Sequence, residues 1–472
     1  MSFDRKKFKE ELNLPSETFC ALPFVHLSTR PGGEVRCCCS ATASSVGPSN
    51  DTMHGHNLGY VKDASGKPFN LNESTLLEAW NSDYMKNVRT RMMNGEFSPS
   101  CGKCYREEAS GHLSKRVWET RHWVKEMDGI DNIIQHLNED GELPPNVIYA
   151  DLRFGTKCQL ACAMCSGRDS SGWIPLYKKM YPTIENPNLQ QTMWWEDKDK
   201  SFGSHYNWHK DNDKFWDELY DQIPNMKQLY FAGGEPLIID EHYMLLQKVI
   251  EMGYADKIMI RYNSNAVDVP DKLFKLWSHF KKVRFHFSLD SFGEMNSYIR
   301  YPSDWNTIEE NLWKFDNTAD NIEVTLACAV SALNIYYMPD FILWKINQGF
   351  NKINMWPSGA GLVNNHLVYW PPQLNVRVFP KEFKKKIRKH YEEMYPVIEK
   401  HWQKATGLTD EVTYDMWRSS EYGLKRLDGL LQFMDDEDWS ERMPEFREYI
   451  NKMDHARNTD FGKTFPEMKE LL

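Results

Sequence analysis

A chain of 472 residues with 41% hydrophobic and 26% charged residues has the makeup of a globular protein, with room for two or three domains or for one barrel-sized domain and a smaller one. The formal net charge of −10 argues against a nucleic-acid partner, which calls for a basic face, and the run Lys381, Lys384, Lys385, Lys386 and Arg388 reads as the solvated side of a helix. The opening MSFDRKKFKEELNLP lacks the apolar core of a secretory signal and no apolar run reaches the ~18 residues of a membrane span, so a cytoplasmic protein with no membrane partner is expected, whose ten cysteines do not form disulfides and whose clustered ones serve as metal ligands or catalytic groups.

After a lead over 1–18, residues 19–116 read as a small α+β unit. VHLSTRPGGEVRCC predicts a hairpin turning at Pro31-Gly32-Gly33. A polar stretch from Ser40 to Gly59 follows. Ser74 and Ser82 are expected N-caps of a helical stretch that ends at Gly95, and Cys101 comes just after Pro99. Linker helices are expected over 117–146.

Over 147–370 the pattern alternates. VIYADLR, KQLYFA, KIMIRY, KVRFHFSL, IEVTLACAV and KINM are six expected strands, rich in β-branched and aromatic residues. Helical stretches lie between them: Asp240 to Met252 before Gly253, one starting near Pro270, and Met338 to Asn347 before Gly349. Six βα repeats predict an α/β fold with a parallel sheet curled as a full or partial barrel, whose functional residues gather at the C-terminal strand ends. The long Ser166–Met226 connection, with Trp173, Trp194, Trp195, Trp208 and Trp216, reads as a covering insertion. Residues 371–472 predict a C-terminal helical cap.

The cysteines mark the chemistry. In GTKCQLACAMC, Cys158, Cys162 and Cys165 follow the first of the six strands directly. Three thiolates on one short loop can hold three irons of a cubane cluster and leave the fourth iron open to a ligand. A zinc site would call for a fourth Cys or His nearby, and the next few residues offer none.

C-x-x-x-C-x-Φ-C, with Met164 in the Φ slot, resembles the signature of the radical S-adenosylmethionine superfamily. The resemblance implies a partial (β/α)6 barrel and a [4Fe–4S] cluster on the three cysteines. It implies S-adenosylmethionine bound at the open iron and cleaved by one electron to a 5′-deoxyadenosyl radical that abstracts hydrogen from a substrate. Gly233-Gly234-Glu235-Pro236, after KQLYFA, is similar to the family's GGE motif, which binds the cofactor's amino group. Asn263 and Asn265 at the next strand end are similar to its third-strand polar segment, and Ser288 and Asp290 resemble its ribose-contacting element. Met164 is implied to present its backbone near the adenine. Arg300 reads either as a contact to the cofactor's carboxylate or to an acidic substrate, or as a surface ion pair. Asn334 and Trp356 stand at the last two strand ends as further contacts.

A second constellation precedes the barrel. Cys20 is followed after twelve residues by Gly33 and after four more by Cys38, and Cys101-Gly-Lys-Cys104 comes later. This resembles the twitch element, the shorter relative of SPASM domains, and implies an auxiliary [4Fe–4S] cluster on Cys20, Cys38, Cys101 and Cys104. The order departs from the family, where this element commonly follows the barrel, and a four-cysteine zinc site has the same ligand set. Spacing favours Cys38, while Cys37 or Cys39 would serve if the strand were bulged. Cys328 reads as a buried small hydrophobe. His112, His205, His209 and His366 have no metal spacing.

The resemblance implies an external one-electron donor of the flavodoxin or ferredoxin type. It implies oxidation, crosslinking or epimerisation of a peptide or protein, or modification of a small metabolite, and does not choose among them. The reading from another class is a non-catalytic scaffold stapled by Fe–S or zinc.

Overall fold

The computed structural model describes residues 3–41, 59–109, 114–194, 204–353, 362–406 and 424–472. Eight strands are present among them: β1 His26–Thr29, β2 Val35–Arg36, β3 Tyr149–Leu152, β4 Gln228–Phe231, β5 Met259–Ser264, β6 Lys282–Ser288, β7 Ile322–Val330 and β8 Asn364–Leu367. Helices alternate with β3 to β8, and the strand pairs are mostly parallel, so the class is α/β. The chain forms two compact units, and the division falls inside β5. One comprises Met1–Gly155, Gly203–Gly233 and Asp240–Ile260; the other comprises Thr156–Phe202, Gly234–Ile239 and Arg261–Leu472.

In the first unit β1 and β2 form the expected hairpin, with Ser28 opposite Arg36. Gly33 takes φ +90 in its turn, a conformation open to glycine, and a Cβ there would meet Asn70 and Trp208 at about 3 Å. β1 also pairs in parallel with β3, His26 beside Tyr149, and β3 with β4. The N-terminal hairpin therefore shares a sheet with the strand that precedes the cysteine triad. Ser28 Oγ donates to the buried Asp151 carboxylate at 3.1 Å, and Arg153 N donates to Thr29 Oγ1 at 2.9 Å. Helix Leu76–Trp80 begins one residue later than expected. Thr75, not Ser74, is its N-cap, because Glu78 three residues on completes a capping box with Thr75. Ser82 caps Asp83–Met93 as expected.

In the second unit β6 pairs with β7 from Val283↔Ile322 to Ser288↔Ala327, and β7 with β8 from Ala327↔Asn364. Alternation along β6 sends Val283, Phe285 and Phe287 to one face, where Phe285 packs on Trp277 and Phe315 at 5.8 and 4.2 Å between ring centroids. Arg284, His286 and Ser288 take the other face. Pro270 and Gly349 bound helices Asp271–Trp277 and Met338–Gln348 as expected. The helical C-terminus holds Lys381–Thr406, which runs through Pro396, and Leu424–Asp435 and Met443–Arg457.

The sixth expected strand, KINM, is not one over Lys352 and Ile353. The backbone N–H groups of Asn351, Lys352 and Ile353 all donate to the Asp316 carboxylate at 2.8–3.0 Å, so they do not enter a ladder. β8 supplies the neighbour of β7 instead. The rest of KINM, Trp356, Trp195, His112 and most of Ser40–Gly59 lie outside the described residues.

Candidate functional site

The triad lies on the loop after β3, within the second unit. Its backbone is tied down almost group by group. Ala161 N donates to Tyr301 O at 2.6 Å, Ala163 N to Ile299 O at 2.7 Å, and Cys165 N to Cys162 O at 3.0 Å. Three successive carbonyls accept from buried side chains: Ala161 O from Arg457, Cys162 O from Trp173 Nε1 at 2.8 Å, and Ala163 O from Tyr449 Oη at 2.6 Å. Ser170 Oγ donates to Leu160 O, and Cys158 N donates to Ser171 Oγ at 3.2 Å. At Gly172 a Cβ would stand 2.5 Å from Leu160 O, so only glycine lets the two ends of the loop meet.

The three thiols share one neighbourhood. Cys162 and Cys165 are hydrogen-bonded to each other, which lowers the Cys162 thiol and raises that of Cys165. Burial pushes the Cys158 thiol up to about 12, with the Cys162 thiolate adding to the effect. Leu160 N donates to Cys158 Sγ at 3.4 Å, and Asn265 Nδ2 lies 3.7 Å from the same sulfur.

The other candidates converge here. Gly234 N donates to Asp169 O and Glu235 N to Lys157 O, so the GGE segment lies on the triad loop. Gly234 has φ +56, and a Cβ on it would be 2.6 Å from Lys157 O. Gly233, in the first unit, has φ +78 and faces Arg153 in the same way. Pro236 starts a short 3-10 turn and is buried. Glu235 is 1% exposed. Its carboxylate accepts from Ser264 Oγ at 2.7 Å, Asn265 N at 2.7 Å and Leu237 N at 3.1 Å, and burial still raises its pKa to about 7. Met164 is half-buried beside Ala163.

Asp290 and Arg300 form a buried ion pair, Arg300 Nε to Asp290 Oδ2 at 2.8 Å and Nη2 to Oδ1 at 3.1 Å. Ala329 N adds a third donor at 2.7 Å. Arg300 Nη1 also reaches Cys162 Sγ at 4.0 Å. Burial works against the arginine charge, yet Asp290 and Cys162 hold the guanidinium above its ordinary range. The Arg300 ion pair is buried, not the surface pair that the sequence suggested, and the arginine is also a neighbour of the triad. Ser288 closes β6, half-buried. Asn334 is 1% exposed and engaged within the chain, accepting from Ser331 N and donating to Asp290 O and Ala329 O. Cys328 is buried beside it.

Two buried polar atoms beside the triad have no hydrogen-bond partner among the described residues, Gln159 Nε2 and Asn263 Oδ1. Asn263 lies near the end of β5, Asn265 is the first residue after that strand, and Gln159 Oε1 accepts from Asn265 Nδ2 at 3.5 Å. Buried polar atoms in a native fold normally have partners, so this pair fits a polar ligand next to Cys158. Three thiols on one loop beside such a ligand position suit a cubane with one iron free of protein.

The second cysteine set lies wholly in the first unit. Cys20 precedes a helical turn at Leu22–Val25, Cys38 follows β2, Cys101 ends the turn Pro99–Cys101, and Cys104 lies on helix Gly102–Ala109. Burial raises Cys20, Cys101 and Cys104, the last to about 12, and the charge of Cys38 adds to the rise in each. Cys38 is lowered to about 6 by a hydrogen bond from Cys37. Cys38 acts on Cys20, Cys101 and Cys104, its neighbour Cys37 is also acted on by Cys101, and Cys39 acts on Arg36 and Tyr149. Arg116 braces the set: it pairs with the buried Glu108 at 2.8 Å and donates to Phe19 O at 2.7 Å. Among the described residues no three His, Cys, Asp or Glu side chains share the close spacing of a single bound metal ion.

The long tryptophan-bearing connection divides. Trp173 supports the triad loop, while Trp208 and Trp216 pack on Phe154 in the first unit, with His209 between them. Sequence reasoning missed Gly172, Tyr449 and Arg457. Ser170-Ser171-Gly172 directly after the triad is a local turn signal that could have pointed to the first, but nothing local marks the other two.

No family model matches this chain. No curated protein matches it either.

Proposed function

We propose that this chain is a radical S-adenosylmethionine enzyme whose strands β3 to β8 form a partial (β/α)6 barrel. The observation that carries the reading is the meeting, within the second unit, of three loop thiols with Glu235, Asn265 and the Asp290–Arg300 pair, together with the partnerless buried polar atoms of Gln159 and Asn263. Cys158, Cys162 and Cys165 would hold a [4Fe–4S] cluster, which with S-adenosylmethionine supplies a 5′-deoxyadenosyl radical for hydrogen abstraction. Around it the chain's own groups each have a task. Gln159 and Asn263 offer one amide donor and one carbonyl acceptor to the cofactor. Glu235 fixes the Asn265 peptide and sets the electrostatics where an ammonium would bind. Arg300 adds a cation beside Cys162.

Cys20, Cys38, Cys101 and Cys104 would hold the auxiliary [4Fe–4S] cluster of a twitch-like element. Four thiolates close such a cluster, which suits electron transfer during oxidation, crosslinking or epimerisation of a peptide, protein or small metabolite. A flavodoxin- or ferredoxin-type protein would supply electrons in the cytoplasm. Among the described residues no helix is long and apolar enough to cross a membrane.

Metal analysis tests the assignment. Anaerobically reconstituted chain should carry about eight irons and as many sulfides, two cubanes, and about four when Cys158, Cys162 and Cys165 are all alanine. Zinc in place of iron at both sets would make the protein a scaffold.

A further inference from the structure

Helix Met443–Arg457 reaches the triad loop across 286 and 296 residues of sequence, and it does so at the loop's backbone. Within the second unit, Arg457 donates to Ala161 O and Tyr449 Oη to Ala163 O, on either side of Cys162. Arg457 Nη1 also donates to Tyr298 O at 3.2 Å, and Tyr298 Oη donates to Asp454 at 2.7 Å on the same helix. The helix therefore grips the 298–301 segment as well, whose carbonyls at Ile299 and Tyr301 receive the loop's Ala163 and Ala161 amides. Arg457 is 4% exposed, its guanidinium 5.4 and 5.1 Å from the ring centres of Trp173 and Tyr301, and among the described residues it forms no ion pair with a carboxylate. Burying an arginine this way is costly unless its charge is answered. A cluster carrying thiolates on the loop it holds would answer it.

We propose that the C-terminal helix Met443–Arg457 is a working part of the triad centre: Tyr449 and Arg457 are positioning residues that fix the Ala161–Met164 backbone, and the Arg457 charge favours the reduced state of a cluster held by Cys158, Cys162 and Cys165. The second half rests on the cluster reading above; the first does not. The physical ground for the charge effect is Coulombic. Reduction adds a negative charge, a fixed cation nearby stabilises it, and in a dry site little screening intervenes. The ground for the positioning effect is backbone accounting. Removing either donor leaves a buried loop carbonyl unpaired, and the loop must shift to recover a partner.

The test uses the full chain with Arg457→Lys, Arg457→Gln and Tyr449→Phe, read in two ways. In metal-free protein, hydrogen exchange over 156–172 should quicken at least several-fold in Tyr449→Phe and Arg457→Gln, while exchange in the first unit stays at the wild-type rate. In reconstituted protein, the midpoint potential of the triad cluster should fall in Arg457→Gln and return toward wild type in Arg457→Lys, with the auxiliary potential unmoved. A purely structural brace would not separate Lys from Gln in this way. Wild-type exchange in all of the variants, or an unchanged potential in loaded Arg457→Gln, overturns the proposal. If Arg457→Gln does not fold, exchange in Tyr449→Phe and Arg457→Lys decides. A wild-type chain that takes up no iron at the triad refutes the cluster reading instead, and the exchange measurement still decides the positioning role.

Discussion

The Glu235 carboxylate accepts the backbone N–H of Asn265 at 2.7 Å, joining the GGE segment after β4 to the polar end of β5. Two stretches that read as separate motifs are one hydrogen-bonded unit, closed by Ser264 and lying on the triad loop through Glu235 N.

Glu235 gives the centre a pH dependence. Burial raises its pKa from 4.5 to about 7, so the fold favours the protonated acid. That contribution is complete below pH 4.5 and disappears as pH climbs through 7. Wild type should lose on the order of 3 kcal/mol relative to Glu235→Gln between those limits. Urea unfolding of the metal-free proteins at pH 5 and 7.5 measures it, and parallel profiles would contradict the assignment.

Gly234→Val should damage the triad loop itself. The new Cβ meets Lys157 O at 2.6 Å on a backbone at φ +56, a combination with no relaxed solution. The strain alone costs about 1–3 kcal/mol. Iron at the triad should fall while iron at the first-unit cysteines stays, as counted after reconstitution; full loading at both would show that the loop yields.

Asp290→Asn removes the anion from a buried pair. The Arg300 guanidinium is left uncompensated beside Cys162, and breaking such pairs typically costs ~3–5 kcal/mol. A chemical denaturation midpoint within error of wild type would mean the pair is solvated.

Much of this was readable from sequence where the information is local. Cys158, Cys162 and Cys165 and the Cys101–Cys104 pair stand out in the sequence because their spacings are short, and β3 to β7 because their β-branched and aromatic runs are dense. The misses have non-local or competing causes. KINM has strand composition, but the Asp316 carboxylate takes its amides. Thr75 displaces Ser74 as the N-cap because Glu78, three residues on, completes a capping box with it. Tyr449 and Arg457 act on carbonyls 286 and 296 residues away, and no local pattern encodes that.

Cys38→Ala should abolish iron at the first-unit site, and Cys39→Ala should leave it intact, since Cys38 acts on each of Cys20, Cys101 and Cys104 whereas Cys39 acts on Arg36 and Tyr149. Iron counts in a background lacking the triad cysteines separate the two; loss with Cys39→Ala alone would move the ligand.

The central claim is tested most directly by product release. Reconstituted wild type, given S-adenosylmethionine and a strong one-electron reductant under anaerobic conditions, should release 5′-deoxyadenosine, and the variant with Cys158, Cys162 and Cys165 all replaced by alanine should release none. No release from wild type that carries both clusters, or equal release from the variant, would contradict the account.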